Sequence, residues 1–411
     1  MIIGIIGQIQ SANFLAMKLK SYPEVEKIYA FHVASYPKEK KKAADIEKTE
    51  IVYFDDVKFV DSIKTCDIIF SMGLNLQKKP KLQSLLKKLS IESILLVPSA
   101  ECSYYEDSKI KSKEMFSQAG VRSPFYKVLP YNDLIEQFMS IERPFVLKYN
   151  TDFRYGRQTL IVNDANAADI FDEVKTYGKN KLNSEEANDF FIVEQYVTGK
   201  EHSLHILTDG TDWCYLGSAR DYKKEKDNDQ GNNVTSMGCY SPAGNLSNDV
   251  KTYVDNILSY FNNQGIPYRG ILYLGVLTDN SGQDYILELN ARPGNPEFVT
   301  ILDMIDENLV DLFMLKNLNK RTVKFRDGAS VALQFQNNSD IYSELLDEQV
   351  DLSDLPYGIV GCYSDGAGYF PSSTIVHYSK DRQTAAETIY GYLENKNFKN
   401  IHYRNDIGRL D

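Results

Sequence analysis

"YILELNARPGNPEF", residues 285–298, closes an apolar strand and then alternates in an unusual way. Glu288, Asn290 and Arg292 fall two apart, so in an extended chain their side chains share one face. Leu287, Leu289 and Ala291 take the other, and the chain then breaks at Pro293-Gly294-Asn295-Pro296. Most polar alternations of this kind are only the solvated face of a strand. An acid, an amide and a base in a row also suit a metal and phosphate site. Carboxylate and amide oxygens match Mg²⁺, and a guanidinium matches anionic oxygens. The rest of the chain decides between the two readings.

At 411 residues the length suits two to four domains. A hydrophobic fraction of 43% and a charged fraction of 25% are those of an ordinary globular protein. Forty-six basic against 57 acidic residues give a net charge of −11, and no long basic stripe interrupts this. Nucleic acid and anionic membrane are therefore not expected partners. Lys38 to Lys42 reads as a solvated loop. Cys66, Cys102, Cys214, Cys239 and Cys362 are scattered without a CxxC pair, so neither a zinc knuckle nor a disulfide frame is indicated. His202 and His205 lie close together but lack the further ligands of a metal site. The apolar opening "MIIGIIG" is too short for a signal peptide or a membrane span, and a cytoplasmic protein is expected.

Along the chain, "MIIGIIG" reads as a buried parallel strand, followed by a helix carrying Phe14, Leu15, Met17 and Leu19. "KIYAFHVA", "CDIIFSMG" and "SILLVPS" read as strands and "KLQSLLKKLSI" as a helix, giving an open parallel sheet over residues 1–100. A helix is expected over residues 105–120, stopped by Gly120. "RPFVLKYNTDFRYGRQTLIV" reads as two strands around a polar loop. "NDFFIVEQYVTGKEHSLHILTDG" is strand, short connection and strand. A strand then runs into the long polar loop of "RDYKKEKDNDQGNNVTSMGCYSP", a length of irregular chain that usually carries function. "KTYVDNILSYFNNQG" is an amphipathic helix, and a hairpin turns at Asn280-Ser281-Gly282. Beyond Val323, "ASVALQF" and "GIVGCY" are strands and "TAAETIYGYLE" a helix.

Three features converge on chemistry. Lys148 ends a strand before a loop holding Gly156 and Arg157, suited to closing over phosphates. Glu194 ends the strand "IVEQYV", with Glu201 farther on after Gly199. The third is the Glu-x-Asn-x-Arg strand. In this combination the chain resembles the ATP-grasp carboxylate–amine ligases, and within them the phosphoribosylamine–glycine ligases (glycinamide ribonucleotide synthetases). That family carries Glu-x-Asn-x-Arg-x-Gly and then Asp-Pro-Glu; here stand Glu288, Asn290, Arg292, Gly294 and Asn295-Pro296-Glu297. The family's long loop matches residues 220–242 without a gap. Asp221, Lys223, Asp227, Asp229, Gly231, Asn233, Met237, Gly238, Tyr240, Ser241 and Pro242 are kept. Its Gly-Ser-Lys helix start is Asp107-Ser108-Lys109, and its Arg-x-Asp-Ile-Gly recurs in "YRNDIG", Tyr403 to Gly408. A lone ExNxR is weak evidence; four motifs in order are strong.

The resemblance implies an ATP-grasp fold, α/β and α+β in character, with three parts. These are an N-terminal open parallel-sheet domain (1–100), an ATP-grasp domain (101–322, its lid about 125–190) and a C-terminal α/β domain (323–411). It implies an ADP-forming ligase that makes an amide through an acyl phosphate, with ATP and Mg²⁺ as cofactors and Mn²⁺ as an alternative ion. The partners are a small carboxylate, such as the amino acid glycine, and an amine, in a monomer or homodimer. Lys109, Lys148, Gly156 and Arg157 would hold ATP phosphates, Glu194 and the Val197 backbone adenine, and Glu201 the ribose. Glu288 and Asn290 would ligate the metal, while Arg292 with Lys148 serves the reacting groups. Asp221, Lys223, Met237, Gly238, Arg292 and Gly294 would bind substrate. Singly, each lysine or glutamate could be a solvated surface residue. Jointly, at family positions, Lys148, Glu288, Asn290 and Arg292 are not.

The departures cluster. Where the family follows its first strand with Gly-Asn-Gly-Gly-Arg-Glu-His, residues 7–13 read "GQIQSAN". The glycines that let a backbone approach a phosphate are gone, with the Arg and the His. "MGLNLQ" replaces the family's Pro-Glu-Ala-Pro-Leu, and Thr-Gly-Gly-Met-Gly has become Val234 to Gly238. A Gly-rich stretch of the last domain is now "LQFQNNSDIYSELL". The half assigned to ATP and metal is kept and the half assigned to phosphoribosylamine is rebuilt. The expectation is a ligase with an altered amine, and a changed amino acid as a further option. An authentic phosphoribosylamine–glycine ligase and a non-catalytic ATP-binding protein are the alternatives.

Overall fold

The computed structural model describes residues 1–7, 10–32, 46–54, 56–73, 79–89, 93–150, 159–181, 190–337, 355–363, 373–394, 396 and 401–409. Statements below concern these. Gly156, Arg157, most of "MGLNLQ" and most of "LQFQNNSDIYSELL" lie outside them.

β1 (Ile2–Ile6), β2 (Lys27–His32), β3 (Thr49–Tyr53), β4 (Ile68–Ser71) and β5 (Ile94–Leu96) form an all-parallel sheet in the order β3-β2-β1-β4-β5. Its runs of Ile and Val are those of strands covered on both faces. β3, "TEIVY", is a strand the pattern reading passed over; its burial is partial, as befits an edge. Helices α1 (Gln10–Leu19), α2 (Phe59–Lys64) and α3 (Pro80–Leu89) supply the crossovers. On α3 the buried Leu82, Leu86 and Leu89 make one apolar stripe opposite a lysine-rich face.

The helix expected over residues 105–120 is instead two: α4 (Ala100–Asp107) and α5 (Lys109–Gln118). Ser108 breaks them, in extended geometry (φ −116°, ψ 102°), while its hydroxyl accepts a hydrogen bond from the Lys111 amide. Serine is favoured at such an N-cap because it satisfies an otherwise orphaned donor. Gly120 ends the run at φ +67°.

β6 (Tyr126–Pro130), β7 (Phe145–Tyr149), β8 (Thr159–Val162) and β9 (Phe190–Gln195) form an antiparallel sheet in the order β6-β9-β7-β8. Helices α6 (Tyr131–Gln137) and α7 (Ala167–Lys181) belong to the same unit, whose core includes Leu134, Phe138, Phe145, Val174 and Phe191.

The largest sheet begins with β10 (Gly199–Thr208) and β11 (Trp213–Asp221). Between β11 and β14 (Gly238–Ser241) the expected polar loop contains a small ribbon, β12 (Lys224–Lys226) with β13 (Gln230–Asn233). α8 (Asn248–Asn263) follows, capped by Ser247, and buries Val250, Val254, Ile257, Leu258 and Phe261. β15 (Gly270–Asp279) and β16 (Asp284–Asn290) are the expected hairpin. After α9 (Glu297–Met304) and α10 (Leu309–Phe313) come β17 (Ala329–Asn337), β18 (Ile359–Tyr363), β19 (Ser373–Ser379), α11 (Arg382–Leu393) and β20 (Ile401–His402). The order is β16-β15-β10-β11-β14-β17-β19-β18, with β20 on β17, so strands on both sides of residue 322 share one sheet.

α9 is buried along its whole length. Phe298, Val299, Ile301 and Leu302 pack in one cluster with Phe14, Leu15 and Leu19 of α1 and with Leu216 of β11. This core fixes the segment that follows the Glu-x-Asn-x-Arg strand against the N-terminal sheet unit. Among the described residues, no helix is long and apolar enough to cross a membrane.

Candidate active site

A cleft between the four-stranded sheet and the large sheet is lined by Glu106, Lys109, Lys113, Lys148, Glu288 and Asn290, among others. Its floor is β16. Glu288 and Asn290 project from one face of that strand, and the Asn290 amide donates to Glu288 Oε1 at 3.4 Å. Lys109, the first residue of α5, places its Nζ 3.9 Å from Glu288 Oε2; Lys223, just past β11, places its own 3.7 Å from Oε1. Burial pushes the Glu288 carboxyl up, but Lys223, Lys109, Lys148 and Arg292 outweigh it and hold the group down at about 2.

Glu288 and Asn290 thus supply one anionic and one neutral oxygen, with cations near but not tightly docked. Among the described residues no group of three or more His, Cys, Asp or Glu side chains could hold a metal. Mg²⁺ commonly takes one or two protein ligands and completes its shell with water and substrate phosphates. The donor set fits such an ion and does not fit a closed all-protein cage.

Arg292 lies beyond the strand end. Its Nε is 2.8 Å from Glu106 Oε1, and Glu106 Oε2 accepts the Ala291 amide at 2.9 Å. One carboxylate of α4 therefore aims the guanidinium and pins the backbone before it. The next turn is held from below: the Gly294 amide donates to His205 Nε2 at 2.8 Å. His205 is 0% exposed, stacked on Phe298, and must be neutral to accept. Burial, then the Arg292 charge, lowers it to about 3.

On the other wall Lys148 of β7 and Lys113 of α5 both pair with Glu194 of β9, one on each carboxylate oxygen. Exposures of 7%, 2% and 2% make this a buried triad. The expectation gave the Glu194 carboxylate to the adenine edge. In the structure it is engaged by two lysines, because β7 and β9 are paired with Val146 opposite Glu194. Val197 lies in the short connection between β9 and β10, and Glu201 is exposed early in β10, where its charge reaches Lys223.

Met237 and Gly238 are not brought to the cleft. Met237 is fully buried with Val331, Leu333 and Phe335, and Gly238 pairs with Leu333 in the β14–β17 ladder. Asp221 ends β11, and its carboxylate accepts from the Ser236 hydroxyl. The "YRNDIG" segment is structural: Arg404, 1% exposed, pairs with Asp406 at 2.6 Å and Asp229 at 2.8 Å, and its Nη1 donates to the Lys224 carbonyl. It fastens the β12–β13 ribbon next to Lys223. Lys113 and Glu106 were not singled out from sequence, and His205 was named there only as lacking the further ligands of a metal site. Lys113 carried a signal, since it follows Lys109 by four residues and so shares its helix face.

A parallel-sheet unit followed by two sheets with a lysine-lined cleft between them defines the ATP-grasp fold. The family model "Phosphoribosylglycinamide synthetase, ATP-grasp (A) domain" matches residues 107–298. The phosphoribosylamine–glycine ligase of Leptospira interrogans is 26% identical over 329 residues, covering 76% of each chain. The crystal structure of the Thermotoga maritima phosphoribosylamine–glycine ligase superposes with a TM-score of 0.75 at 19% identity, over 99% of this chain and 100% of that one. The biotin carboxylase domain of Hydrogenobacter thermophilus 2-oxoglutarate carboxylase, solved with MgADP, gives 0.64 at 16% identity, over 97% and 91%. The chain has the ATP-grasp fold, and over most of its length it is similar to the phosphoribosylamine–glycine ligases, which are carbon–nitrogen ligases.

Proposed function

We propose that the protein is an ADP-forming carboxylate–amine ligase acting on an amine other than phosphoribosylamine. The reaction joins two half-steps. A carboxylate oxygen attacks the γ-phosphorus of ATP, forming an acyl phosphate and releasing ADP. The amine then attacks the acyl carbon, and phosphate leaves with that oxygen. Mg²⁺ bound at Glu288 and Asn290 would neutralise phosphate charge. Lys109 and Lys148 would position the phosphate oxygens, and Arg292 would face the charge developing on the acyl phosphate. Such catalysis is mostly orientation and electrostatic stabilisation. Val197, in the β9–β10 connection, and Glu201, early in β10, are proposed to meet the nucleoside, with Asp221, Lys223 and Gly294 on the substrate side.

The observation that carries this reading is the convergence of Glu288, Asn290, Lys109, Lys148 and Lys223 on one cleft, with Arg292 aimed by Glu106 at its end. A non-catalytic nucleotide binder has no need of that arrangement. The altered amine is supported at the opposite side of Arg292. The family pattern has Arg at position 11 and Asp at 295; this chain has Ser11 and Asn295, and the two touch. The Ser11 hydroxyl is 2.9 Å from Asn295 Oδ1 and 3.2 Å from the Gly294 carbonyl, and its amide donates to Asn295 Oδ1 at 3.2 Å. Two charged residues of the family pattern are thus replaced by two neutral ones that hydrogen-bond each other. One observation favours the authentic purine enzyme: the similarity to the Leptospira ligase extends over 76% of both chains.

ADP release separates the two. With Mg-ATP and glycine, adding phosphoribosylamine generated in situ is expected to give no release, while another acid–amine pair from a panel does. Robust release only with glycine and phosphoribosylamine together overturns the altered amine.

A further inference from the structure

Glu194 carries one more cation than its charge requires. The residue is buried, and Lys113 of α5 pairs with one carboxylate oxygen while Lys148 of β7 pairs with the other. The backbone sets both approaches. Val146 stands opposite Glu194 in the β7–β9 ladder, so Lys148, two residues along on the same face, is a diagonal neighbour of the acid. Lys113 arrives from a different element, one helical turn beyond Lys109, and Lys109 itself is turned to Glu288. Burial works to raise the Glu194 carboxyl, but Lys148 and Lys113 outweigh it and hold the group below its ordinary value. Burial, with Lys148 beside it, lowers the Lys113 ammonium to about 8, so that group still carries its proton at neutral pH. Two ammonium groups share one carboxylate, and one positive charge is left over.

That surplus lies in the cleft wall, where Lys113 and Lys148 stand with Lys109, Glu288 and Asn290. A pair of Lys148 and Glu194 alone would be neutral. To reach a phosphate, the lysine would have to abandon a buried carboxylate, and an uncompensated buried charge is strongly destabilising. With Lys113 in place, the carboxylate keeps a partner when Lys148 moves. The flexible four-carbon stem of a lysine permits such a swing.

We propose that Lys113 is the resident counter-ion of Glu194, whose presence lets Lys148 leave that carboxylate for the phosphates of ATP. Lys113 is thus a positioning residue, acting on the nucleotide through Lys148. This rests on the reading of Lys148 as a phosphate ligand given above. Without Lys113, Glu194 competes with ATP for the one remaining ammonium.

Calorimetric titration of the full chain with Mg²⁺ and two probes tests this. One probe is the non-hydrolysable ATP analogue AMP-PNP; the other is adenosine, which has no phosphate. Lys113→Met is expected to weaken AMP-PNP binding about tenfold or more, the value of a charge-assisted hydrogen bond, and to leave adenosine binding unchanged. The double variant Lys113→Met with Glu194→Gln should recover the AMP-PNP affinity, because the competing carboxylate is gone with its counter-ion. Equal loss for both probes would make Lys113 a structural residue, and a loss that the double variant does not recover would make it a direct phosphate ligand. Either result overturns the proposal. A crystal structure of the wild-type protein with Mg²⁺ and AMP-PNP needs no variant to fold. Lys148 is expected on a phosphate oxygen with Lys113 still on Glu194; Lys148 remaining on Glu194 overturns the proposal. Wild-type protein that binds AMP-PNP no tighter than adenosine removes the phosphate reading of the cleft as well.

Discussion

Gly275 lies opposite Glu288 in the β15–β16 ladder, and a Cβ at residue 275 would stand 2.8 Å from Glu288 Cγ. A register irregularity follows at once, between Gly275 and Val276. The carboxylate reaches the cleft because its cross-strand neighbour has no side chain. Gly275→Ala is expected to push Glu288 off the strand face and weaken Mg-dependent nucleotide binding by roughly 10–100-fold, as for other residues that orient a metal ligand. Titration of the nucleotide at several Mg²⁺ concentrations checks this. Unchanged Mg²⁺ dependence in a folded variant would remove Glu288 from the metal site.

The buried triad predicts a strong effect at Lys113, whose ion pair with Glu194 is its only polar side-chain contact among the described residues. Lys113→Met leaves Glu194 to Lys148 alone, and breaking one side of a buried pair typically costs about 3–5 kcal/mol. The urea midpoint should fall accordingly. A midpoint within experimental error of wild type would mean that Lys113 lies outside the triad in solution.

His205 gives stability a pH dependence whose sign is fixed. Its native pKa is lowered to about 3 from 6.5, so between those values the unfolded chain holds a proton that the native one refuses. That contribution is fully present above pH 6.5 and is lost as pH falls toward 3. His205→Gln should have lower stability at pH 7 but a flatter dependence through this window, measured as denaturant midpoints from pH 8 to 4. Parallel curves would show His205 titrating normally.

Much of this was legible in the sequence. The parallel sheet, the hairpin at Asn280-Ser281-Gly282 and α8 follow from period and turn chemistry, which are local. The Glu-x-Asn-x-Arg strand announced its chemistry because alternation puts two ligands on one face. What escaped depends on contacts distant in sequence. Glu106 meets Arg292, and His205 meets Gly294, only once α4, β10 and β16 are assembled. The pairing of Glu194 was hidden because the sequence does not show that Lys113 and Lys148 reach it from two other elements. Ser108 was hidden inside a continuous helical pattern, as single-residue caps are.

Arg404 links the chain's end to the site. Its pairing with Asp229 and Asp406 and its bond to the Lys224 carbonyl hold the β12–β13 ribbon. Arg404→Met should speed amide hydrogen exchange across residues 224–233 and lower kcat/KM, while exchange in β1 to β5 stays unchanged. Protection of the ribbon equal to wild type would show that other contacts hold it.

In the proposed reaction this cleft phosphorylates a carboxylate. The direct test uses the acid selected by the ADP-release panel, labelled with ¹⁸O in both carboxylate oxygens, during turnover with Mg-ATP and the amine. One ¹⁸O transferred to each inorganic phosphate is the predicted result, because phosphate leaves the acyl phosphate with a substrate oxygen. Phosphate carrying no substrate oxygen, and instead one from solvent water, would mean that ATP is merely hydrolysed and would contradict the account.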